Sequence, residues 1–287
     1  MTGVPDRLAL PGFDVRAELA AGSRWLSERL RSTGLSRLVI GLSGGIDSAV
    51  PAPWAARALG NEALILVAMP YGLLAPGSFA ASARDSLTHA RLVAAQLPGV
   101  DYRELDIALT VDAEAETNGL AADLRGAPNE PRLQSALANV KARVRAVRLR
   151  YFANRHDALL LGTENKTEHY LGYFTISGDE ESDVELLGNY LKSEVGQLAS
   201  TLGVPREIIE KRPSADLWTG QTDEGELGFT YRDADHVLHV TGGRAVLPSD
   251  AAARCAADID TVHRVLSRVR ATDFKRVPKP VFPRPAP

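Results

Sequence analysis

Two adjacent glycines between an apolar strand pattern and a helical pattern constrain this chain more than any other feature. The segment from residue 40 to residue 48 reads Ile-Gly-Leu-Ser-Gly-Gly-Ile-Asp-Ser. Free backbone N–H groups and the positive end of the helix dipole converge at such a strand-to-helix junction, which favours a bound phosphate. Gly44 and Gly45 lack a Cβ atom, so the backbone can approach an anion closely, and Ser43 and Ser48 add hydroxyl donors. The turn therefore predicts a phosphate-binding loop.

Asp47 is the unexpected member of this turn, because a carboxylate repels a neighbouring phosphate unless a cation lies between them. Asp47 therefore predicts a bound divalent metal ion, and Mg²⁺ is favoured because it prefers oxygen ligands. The segment is neither a Walker A loop, since no Gly-Lys-Ser/Thr follows, nor a Gly-x-Gly-x-x-Gly loop. A simpler interpretation stays open, in which the glycines form a tight turn and Asp47 is a helix N-terminal carboxylate.

The composition limits the classes of protein to which the chain can belong. With 287 residues, 45% of them hydrophobic, the chain can bury one substantial core without a second full domain. A formal net charge of -3 gives no basic surface for non-specific binding of nucleic acid. The single cysteine, Cys255, excludes an intrachain disulfide and suits a reducing cytoplasm. No apolar run reaches the roughly 20 residues that span a bilayer, so we expect a cytoplasmic protein without membrane binding.

Helical and strand patterns alternate through the first half of the chain, which predicts an α/β fold with a doubly wound parallel sheet flanked by helices. We expect a fifth strand further on, in addition to strands at 37–42, 63–69, 102–107 and 158–161. Helical patterns cover residues 15–31, 49–59, 79–97, 111–124 and 133–154. Pro51 and Pro53 predict a distorted start of the second of these helices.

The remaining segments suggest loops and a C-terminal appendage. Residues 70–78 and 212–230 read as long loops, which in compact domains are more often functional than filler, and we expect the second to be a lid over the site. A last helix is expected from 249 to about 271, followed by an extended tail. We therefore expect one domain over 1–287, with a core at about 15–245 and the C-terminal helix and tail at 249–287.

A second polar cluster follows the predicted strand at 158–161. The chain there reads Gly-Thr-Glu-Asn-Lys-Thr-Glu from Gly162 to Glu168. The carboxyl end of a parallel strand is where α/β proteins bind ligands. We expect Thr163 to cap the next helix and Glu168 to face the same crevice as Asp47, so that two carboxylates hold a phosphate-bridged Mg²⁺. Alternatively, Glu168 is a solvated surface side chain.

Five segments occur in an order that is typical of one family. They are the turn at 43–48, Asn-Val-Lys-Ala-Arg-Val-Arg at 139–145, the segment at 162–168, Lys192, and Pro-Ser-Ala-Asp-Leu-Trp-Thr-Gly-Gln-Thr-Asp-Glu-Gly-Glu-Leu-Gly at 213–228. The turn resembles the pyrophosphate loop of ATP pyrophosphatases, and residues 38–235 together resemble the ammonia-dependent NAD synthetases. The resemblance implies a homodimer with a Rossmann-like, adenine nucleotide hydrolase-like fold. It also implies a ligase that uses ATP and Mg²⁺ to adenylate deamido-NAD and ammonia to amidate it, releasing AMP and pyrophosphate.

The resemblance also implies roles for individual residues. ATP binding is implied for Gly41, Leu42, Ser43, Gly44, Gly45, Ile46, Asp47, Ser48, Thr163, Lys192 and Ser214. Mg²⁺ binding is implied for Asp47 and Glu168, and acid binding for Arg143, Asp183, Lys275 and the positions of Ile176 and Phe274. Mg²⁺ and Lys192 would neutralise the leaving pyrophosphate. Asp179 or Asp183 would attract ammonium and take its proton, although either aspartate is also consistent with a loop cap.

Four positions depart from the family pattern. Ile176 stands where the family usually has lysine, Glu180 and Glu181 where it has glycines, and Phe274 where histidine commonly precedes Lys275. These changes remove positive charge and add negative charge beside a polyanionic dinucleotide. Because unpaired charge in a dry pocket is costly, we expect weaker binding of deamido-NAD or a preference for a smaller or cationic acid.

The leading functional prediction is an ammonia-using, ATP-dependent amide ligase, and the resemblance identifies it as a NAD synthetase. One alternative is a paralogue that keeps the adenylating residues but amidates a different carboxylic acid in specialised metabolism. A second is a nucleotide-sensing protein without turnover, against which Asp47, Glu168 and Lys192 argue. A third is a transfer-RNA thiolase, which requires a basic surface and catalytic cysteines that this chain lacks.

Overall fold

Five parallel strands form one sheet in the described residues, in the order β3-β2-β1-β4-β5. The computed structural model describes residues 13–72, 78–128, 130–214, 221–242, 248–255 and 257–277. The strands are β1 (Arg37–Leu42), β2 (Leu64–Ala68), β3 (Asp101–Glu104), β4 (Ala158–Gly162) and β5 (Val184–Glu185). The prediction of a parallel sheet with a fifth strand is confirmed.

Helices flank this sheet on both faces and extend beyond it toward the C-terminus. They are α1 (Val15–Thr33), α2 (Ile46–Ala49), α3 (Pro51–Leu59), α4 (Ser78–Ala95), α5 (Ala108–Thr117), α6 (Leu120–Gly126), α7 (Pro131–Arg155), α8 (Lys166–Leu171), α9 (Lys192–Leu202), α10 (Arg206–Glu210), α11 (Asp223–Leu227), α12 (Tyr231–Thr241), α13 (Pro248–Ala252) and α14 (Ile259–Ala271). Short 3-10 helices cover Asn61–Ala63 and Asp273–Lys275. Across the described ranges, none of the helices is long and apolar enough to cross a membrane.

The central strand β1 lies at the point where the order of connections reverses. Its residue Ile40 pairs with Leu66 of β2 on one side and with Leu161 of β4 on the other. The chain moves outward from β1 through β2 and β3, and later returns on the opposite side through β4 and β5. Such a reversal leaves a crevice outside the carboxyl ends of the two adjacent strands, where α/β folds bind ligands. The crevice here lies between the ends of β1 and β4.

Buried apolar residues pack on both faces of the sheet and in a third cluster. On the two faces, the strand residues alternate between a cluster that contains Leu38 and Ile40 and one that contains Val39 and Ile65. The third cluster, which we call the C-terminal helical cluster, joins α8, α12, α13 and α14 through Leu171, Tyr231, Leu238, Ala251, Val262, Val265 and other buried residues. The crevice is therefore bounded by the sheet on one side and by a separate helical core on the other.

The structure differs from the predicted elements at several boundaries. The predicted helix at 49–59 begins earlier, at Ile46, and breaks at Val50, so that Pro51 takes the first position of α3, where a missing backbone N–H costs little. The expected distortion is thus confirmed. The predicted strand at 102–107 ends at Glu104, because Asp106 turns the chain by accepting a hydrogen bond of 2.8 Å from the N–H of Ala108.

The prediction of one continuous helix from 249 to 271 is wrong. The chain forms α13 and α14 with a break between them, and Asp258 starts α14 by accepting a hydrogen bond of 2.9 Å from the N–H of Thr261. The sequence analysis also did not identify α9 to α12, which lie between residues 192 and 241. Two of these helices, α10 and α11, have only five residues each, and α12 packs within the C-terminal helical cluster.

Candidate active site

A cavity of about 830 Å³ opens at the carboxyl ends of β1, β2 and β4. Of the predicted site residues, its lining contains Gly41, Leu42, Ser43, Gly45, Ile46, Asp47, Ser48, Thr163, Glu168, Asp179, Lys192, Ser214 and Lys275. The other predicted site residues, Gly44, Arg143, Ile176, Asp183 and Phe274, are outside this lining. We call the part beside β1 the nucleotide end, and the part beside residues 172–183 and Lys275 the acid end.

The glycine turn at the nucleotide end depends on the absence of a side chain at Gly44. Its φ is 79°, and a Cβ atom there would lie 2.2 Å from the carbonyl oxygen of Ser86 on α4. Only glycine meets both conditions without strain. Gly44 therefore packs against α4 at Ser86, which explains why it lies outside the cavity lining.

The two serines of the turn bond mainly to the turn itself. The Oγ of Ser48 accepts a hydrogen bond of 3.1 Å from the N–H of Ser43 and donates one of 3.0 Å to the carbonyl of Gly45. The Oγ atoms of Ser43 and Ser48 are 3.0 Å apart. The hydroxyls thus fix the conformation in which the backbone of this turn faces the cavity.

Three side chains from three elements meet next to the turn. The ammonium of Lys192, at the start of α9, donates hydrogen bonds to the carboxylate of Asp47 and, over 2.9 Å, to that of Glu168. All three side chains are at most one-fifth exposed. The structure thus brings together three residues that the sequence analysis assigned to the site. Lys192 lies between the two carboxylates.

Burial and mutual charge perturb the members of this cluster. Burial and the adjacent Asp47 raise the pKa of Glu168 above its usual value, against the opposing effect of Lys192. Burial alone would lower the pKa of Lys192, but Asp47 and Glu168 outweigh it and raise that pKa above its usual value. Lys192 therefore stays charged at neutral pH, and two acidic groups compete for one cation.

Asn165, rather than Thr163, caps α8, so this prediction for Thr163 is wrong. The Oδ1 of Asn165 accepts a hydrogen bond of 3.0 Å from the N–H of Glu168, and the Glu168 carboxylate accepts one of 3.4 Å from the N–H of Asn165. The Nδ2 of Asn165 also donates to Asp47 over 2.8 Å. The spacing Asn-x-x-Glu is the capping-box pattern and could have identified Asn165 from the sequence.

Aromatic and acidic side chains complete the wall beside Lys192. The ring centroid of Tyr231 lies 4.9 Å from the Lys192 ammonium, and the Tyr231 hydroxyl donates a hydrogen bond of 3.1 Å to Asp223. The hydroxyl of Tyr173 donates to the same carboxylate over 3.1 Å. Asp223 belongs to the family-like segment at 213–228, whereas no local pattern marked Tyr231.

The lid predicted at 212–230 is described only in part. Ser214 lines the cavity and donates a hydrogen bond of 2.8 Å to the carbonyl of Gln221. Residues 221–230 form α11 and the approach to α12. Residues 215–220 of the lid, residues 73–77 of the other long loop and residues 278–287 of the tail lie outside the described residues.

The two candidate aspartates at the acid end have different surroundings. Asp179 lines the cavity, accepts a hydrogen bond of 2.9 Å from the N–H of Thr175, and has its pKa raised by burial. Asp183 instead accepts hydrogen bonds from Arg150 over 2.6 Å and from the N–H of Leu160 over 2.8 Å. These two donors overcome the effect of burial and hold the pKa of Asp183 below its usual value.

The four departures from the family pattern occupy different environments. Ile176 and Phe274 are exposed and lie outside the cavity lining. Glu180 accepts a hydrogen bond of 3.0 Å from the N–H of Ser177. Glu181 lines the cavity, but Arg150 lies 2.7 Å from its carboxylate. The added negative charge of Glu181 is therefore compensated by a neighbouring arginine.

Two cations hold the loop at the acid end through backbone carbonyls. Lys275 donates hydrogen bonds of 2.7 Å to Gly172 and 2.5 Å to Phe174, and burial lowers its pKa. Arg268 donates one of 2.9 Å to Leu171. Both cations also line the cavity, so this end still offers positive charge to an anionic ligand.

Arg143 lies on an exposed face of α7 together with Val147 and Tyr151. These three residues are spaced four apart and therefore share one side of the helix. On the inner side, Arg145 lines the cavity and donates a hydrogen bond of 3.0 Å to the carbonyl of Met69. Within this chain, Arg145 rather than Arg143 reaches the site.

Comparisons with known proteins agree on one family. A family model described as NAD synthase matches residues 18–279. The NH(3)-dependent NAD(+) synthetase of Chlorobium phaeovibrioides is 44% identical over 217 residues, covering 76% of this chain and 71% of that protein. The protein of the same name from Thermococcus kodakarensis is 36% identical over 264 residues, covering 92% and 96%.

Solved structures show the same fold. An NMN synthetase from Francisella tularensis superposes with a TM-score of 0.74 at 27% identity, covering 94% of this chain and 99% of that one. An NH3-dependent NAD synthetase from Campylobacter jejuni superposes with a TM-score of 0.68 at 23% identity, covering 95% and 100%. At that identity the second likeness shows the fold alone.

Proposed function

This chain belongs to the NAD synthase family, and we propose on that basis that it is an ammonia-dependent NAD synthetase. In the proposed reaction, ATP activates the nicotinate carboxylate of deamido-NAD as an adenylate, and ammonia then displaces AMP to form the amide. The observation that carries the proposal is the cluster of Asp47, Glu168 and Lys192 beside the glycine turn. This cluster supports the proposal because it offers a cation and two carboxylates beside the turn at which we propose that the triphosphate binds.

The nucleotide end provides the charge compensation that adenylation requires. An attacking carboxylate and a triphosphate repel each other, and negative charge grows on the leaving pyrophosphate. Lys192, held between two carboxylates, is a fixed ammonium that can neutralise this charge without reorganising. Lys211 also lines this end, and its ammonium donates a hydrogen bond of 3.1 Å to the hydroxyl of Ser86.

The residues present fit a magnesium ion accompanied by a nucleotide. Asp47 and Glu168 offer carboxylate oxygens from two different elements, and Mg²⁺ usually takes one or two carboxylates together with phosphate oxygens and water. Groups of three or more candidate metal-ligating side chains are absent from the described residues, which agrees with a site completed by the nucleotide. When bound, Mg²⁺ would neutralise phosphate charge, with Asp47 and Glu168 as its protein ligands.

We assign the acceptor of the ammonium proton to Asp179. Its carboxylate lines the cavity, and burial raises its pKa, which makes it a stronger proton acceptor than an ordinary carboxylate. The carboxylate of Asp183 instead accepts hydrogen bonds from Arg150 and from the N–H of Leu160, and it lies outside the cavity lining. We therefore propose that Asp183 fixes the loop and that Asp179 deprotonates the nucleophile.

A second candidate substrate is a smaller carboxylic acid. Ile176 lacks the positive charge that the family usually places there, which weakens the case for a polyanionic dinucleotide. Lys275 and Arg268 nevertheless keep two cations at the acid end, so an anionic acid remains the expected class. This second candidate differs from the first only in the size of the acid.

We also propose a homodimer formed through α7. Leu109 of α5 and Val147 and Tyr151 of α7 are exposed large apolar residues on neighbouring helices. Arg143 lies on the same face as Val147 and Tyr151, so a second copy placed there would cover all three and bring Arg143 to the interface. Sedimentation should give twice the chain mass, and Val147→Glu should shift it toward the single-chain mass. A strict monomer at micromolar concentration would contradict this proposal.

The activity is tested by incubating the protein with ATP, Mg²⁺, ammonium and single acids. We expect AMP and an amide product with deamido-NAD, measured by chromatography. Formation of AMP only with nicotinate mononucleotide or another acid would favour the second candidate. The absence of AMP with every acid would contradict the ligase proposal.

A further inference from the structure

Asp235 is a completely buried carboxylate in α12, 0% exposed. Its Oδ1 accepts a hydrogen bond of 2.5 Å from the hydroxyl of Thr167. Its Oδ2 accepts two more from Ser193, one of 2.7 Å from the N–H and one of 2.6 Å from the hydroxyl. A carboxylate withdrawn from water is costly unless such donors compensate it, so the surrounding structure is built to hold this group.

The partners of Asp235 are the immediate chain neighbours of the cluster that carries the proposed function. Thr167 precedes Glu168 in α8, and Ser193 follows Lys192 in α9. The hydroxyl of Thr167 also accepts a hydrogen bond of 3.0 Å from the N–H of Lys192. One buried carboxylate thus ties together the starts of two helices that supply opposite charges to the site.

The helix that carries Asp235 also contacts Lys192 directly. Tyr231 lies one turn earlier in α12, and its ring centroid is 4.9 Å from the Lys192 ammonium. Residues four apart lie on the same side of a helix, so α12 presents both groups toward α9. The buried residues of α12 belong to the C-terminal helical cluster, which is separate from the two clusters on the sheet.

We propose that Asp235 is a positioning residue for the adenylation step, because it fixes the separation between the Glu168 carboxylate and the Lys192 ammonium. The inference rests on the proposed function of that cluster. Asp235 itself is not part of the cavity lining, so it acts through Thr167 and Ser193. Small misplacements of charge-stabilising groups reduce rates about 100-fold, so the effect on turnover should be large.

The first test compares Asp235→Asn with Asp233→Asn. Both aspartates lie on α12, but Asp233 is paired with Thr230 at the helix start, away from the site. We expect Asp235→Asn to lower kcat about 100-fold with a KM for the acid within about threefold of the parent, because the acid end is untouched. Asp233→Asn should keep the parent kcat. A kcat within twofold of the parent in folded Asp235→Asn would overturn the proposal.

The second test changes the other end of the same hydrogen bond. Thr167→Ser keeps the hydroxyl that donates to Asp235, whereas Thr167→Val removes it at similar volume. We expect the serine variant to keep most of the parent kcat and the valine variant to lose at least tenfold, with losses in Asp235→Asn and Thr167→Val that are not additive. Equal kcat values for the serine and valine variants would overturn the proposal, even if Asp235→Asn failed to fold.

A third measurement does not depend on turnover. Titration calorimetry with ATP and Mg²⁺ should show at least fivefold weaker binding to Thr167→Val than to Thr167→Ser, because Lys192 is displaced in the former. If the parent forms no AMP with any acid, the ligase proposal fails, and this affinity difference still decides the role of Asp235. Equal affinities would then count against it.

Discussion

The two ends of the cavity are built in different ways. At the nucleotide end, the site residues follow strand ends or begin helices: the glycine turn follows β1, Thr163 follows β4, and Lys192 starts α9. At the acid end, the lining comes from the loop at 172–183 and from residues near the C-terminus. The nucleotide end therefore takes its geometry from the sheet, whereas the acid end takes it from individual side-chain contacts such as those of Lys275 with Gly172 and Phe174.

This difference shows why one end can keep a family pattern while the other departs from it. Parallel pairing of β1 with β4 fixes where Asp47 and Glu168 emerge, whatever acid the protein uses. The loop at the acid end can exchange a lysine for Ile176 or a glycine for Glu181 if a partner such as Arg150 compensates the charge. Specificity can therefore change without disturbing the chemistry of ATP.

The largest expected effect is at the nucleotide end, with Asp47→Asn. The substitution removes the charge that faces Lys192 and one proposed Mg²⁺ ligand, while its size is unchanged. We expect pyrophosphate release to fall about 1,000-fold, since single groups that stabilise developing charge contribute 10² to 10³. Circular dichroism should show an unchanged fold, and the exposed Asp260→Asn is the matched control. Parent-like pyrophosphate release would remove Asp47 from the site.

Asp179→Asn should slow amide formation more than it slows pyrophosphate release, and so it distinguishes the roles of the two ends of the cavity. The variant keeps the nucleotide end but lacks the proposed proton acceptor, so amide formation should fall about 100-fold. Pyrophosphate release should fall less, because adenylation needs no ammonia. The measurement is the ratio of amide to pyrophosphate, with Asp183→Asn in parallel. If Asp183→Asn lowered this ratio more than Asp179→Asn did, the assignment of the base would be reversed.

Gly44→Ala tests how strongly the sheet dictates the turn. The new Cβ would meet the carbonyl of Ser86, and the φ of 79° is unfavourable for alanine. Gly34→Ala is the control, because Gly34 has a φ of 76° but open space around it. We expect the control to cost about 1 kcal/mol of unfolding free energy and Gly44→Ala about 1 to 3 kcal/mol more, measured by urea denaturation. Equal losses of unfolding free energy in the two variants would mean that α4 moves to accommodate the new methyl group.

Ile176→Lys tests the acid end directly. An added lysine beside the cavity should lower the KM for deamido-NAD a few-fold, and the effect is modest because residue 176 is exposed and screened by water. Ile259→Lys adds the same charge at another exposed isoleucine and should leave that KM unchanged. An unchanged or higher KM in Ile176→Lys would argue that deamido-NAD does not bind near residue 176.

The smallest expected effect concerns the ion pairs that fix the acid loop. Arg150 holds the pKa of Asp183 below its unfolded value, so this pair stabilises the protein above about pH 4 and loses its effect as pH falls through the folded pKa. Arg150→Met should cost about 0.2 to 1 kcal/mol near pH 7 and less in acid. Urea denaturation at several pH values measures this, with the exposed Arg29→Met as control. A pH-independent cost would point to lost packing instead.

Sequence patterns identified the parts of the molecule that periodicity and strand ends determine. The sheet, the turn at Gly44 and Gly45 and the break caused by Pro51 follow from apolar runs and local backbone chemistry. The environments of Asp183 and Ile176 did not follow from such patterns, because they depend on Arg150 and on a loop held by Lys275, which lies 103 positions after Gly172. The helices α10 and α11, with five residues each, are too short for their patterns to be distinctive.

Asn165 has one further consequence for the durability of the protein. Its amide oxygen receives the N–H of Glu168, and its amide nitrogen gives a hydrogen to Asp47. Aspartate there would set two like charges 2.8 Å apart, leucine would leave both partners unmet, and glutamine is one methylene too long for the span. Deamidation of Asn165 to aspartate would therefore replace the hydrogen bond to Asp47 by repulsion between two carboxylates.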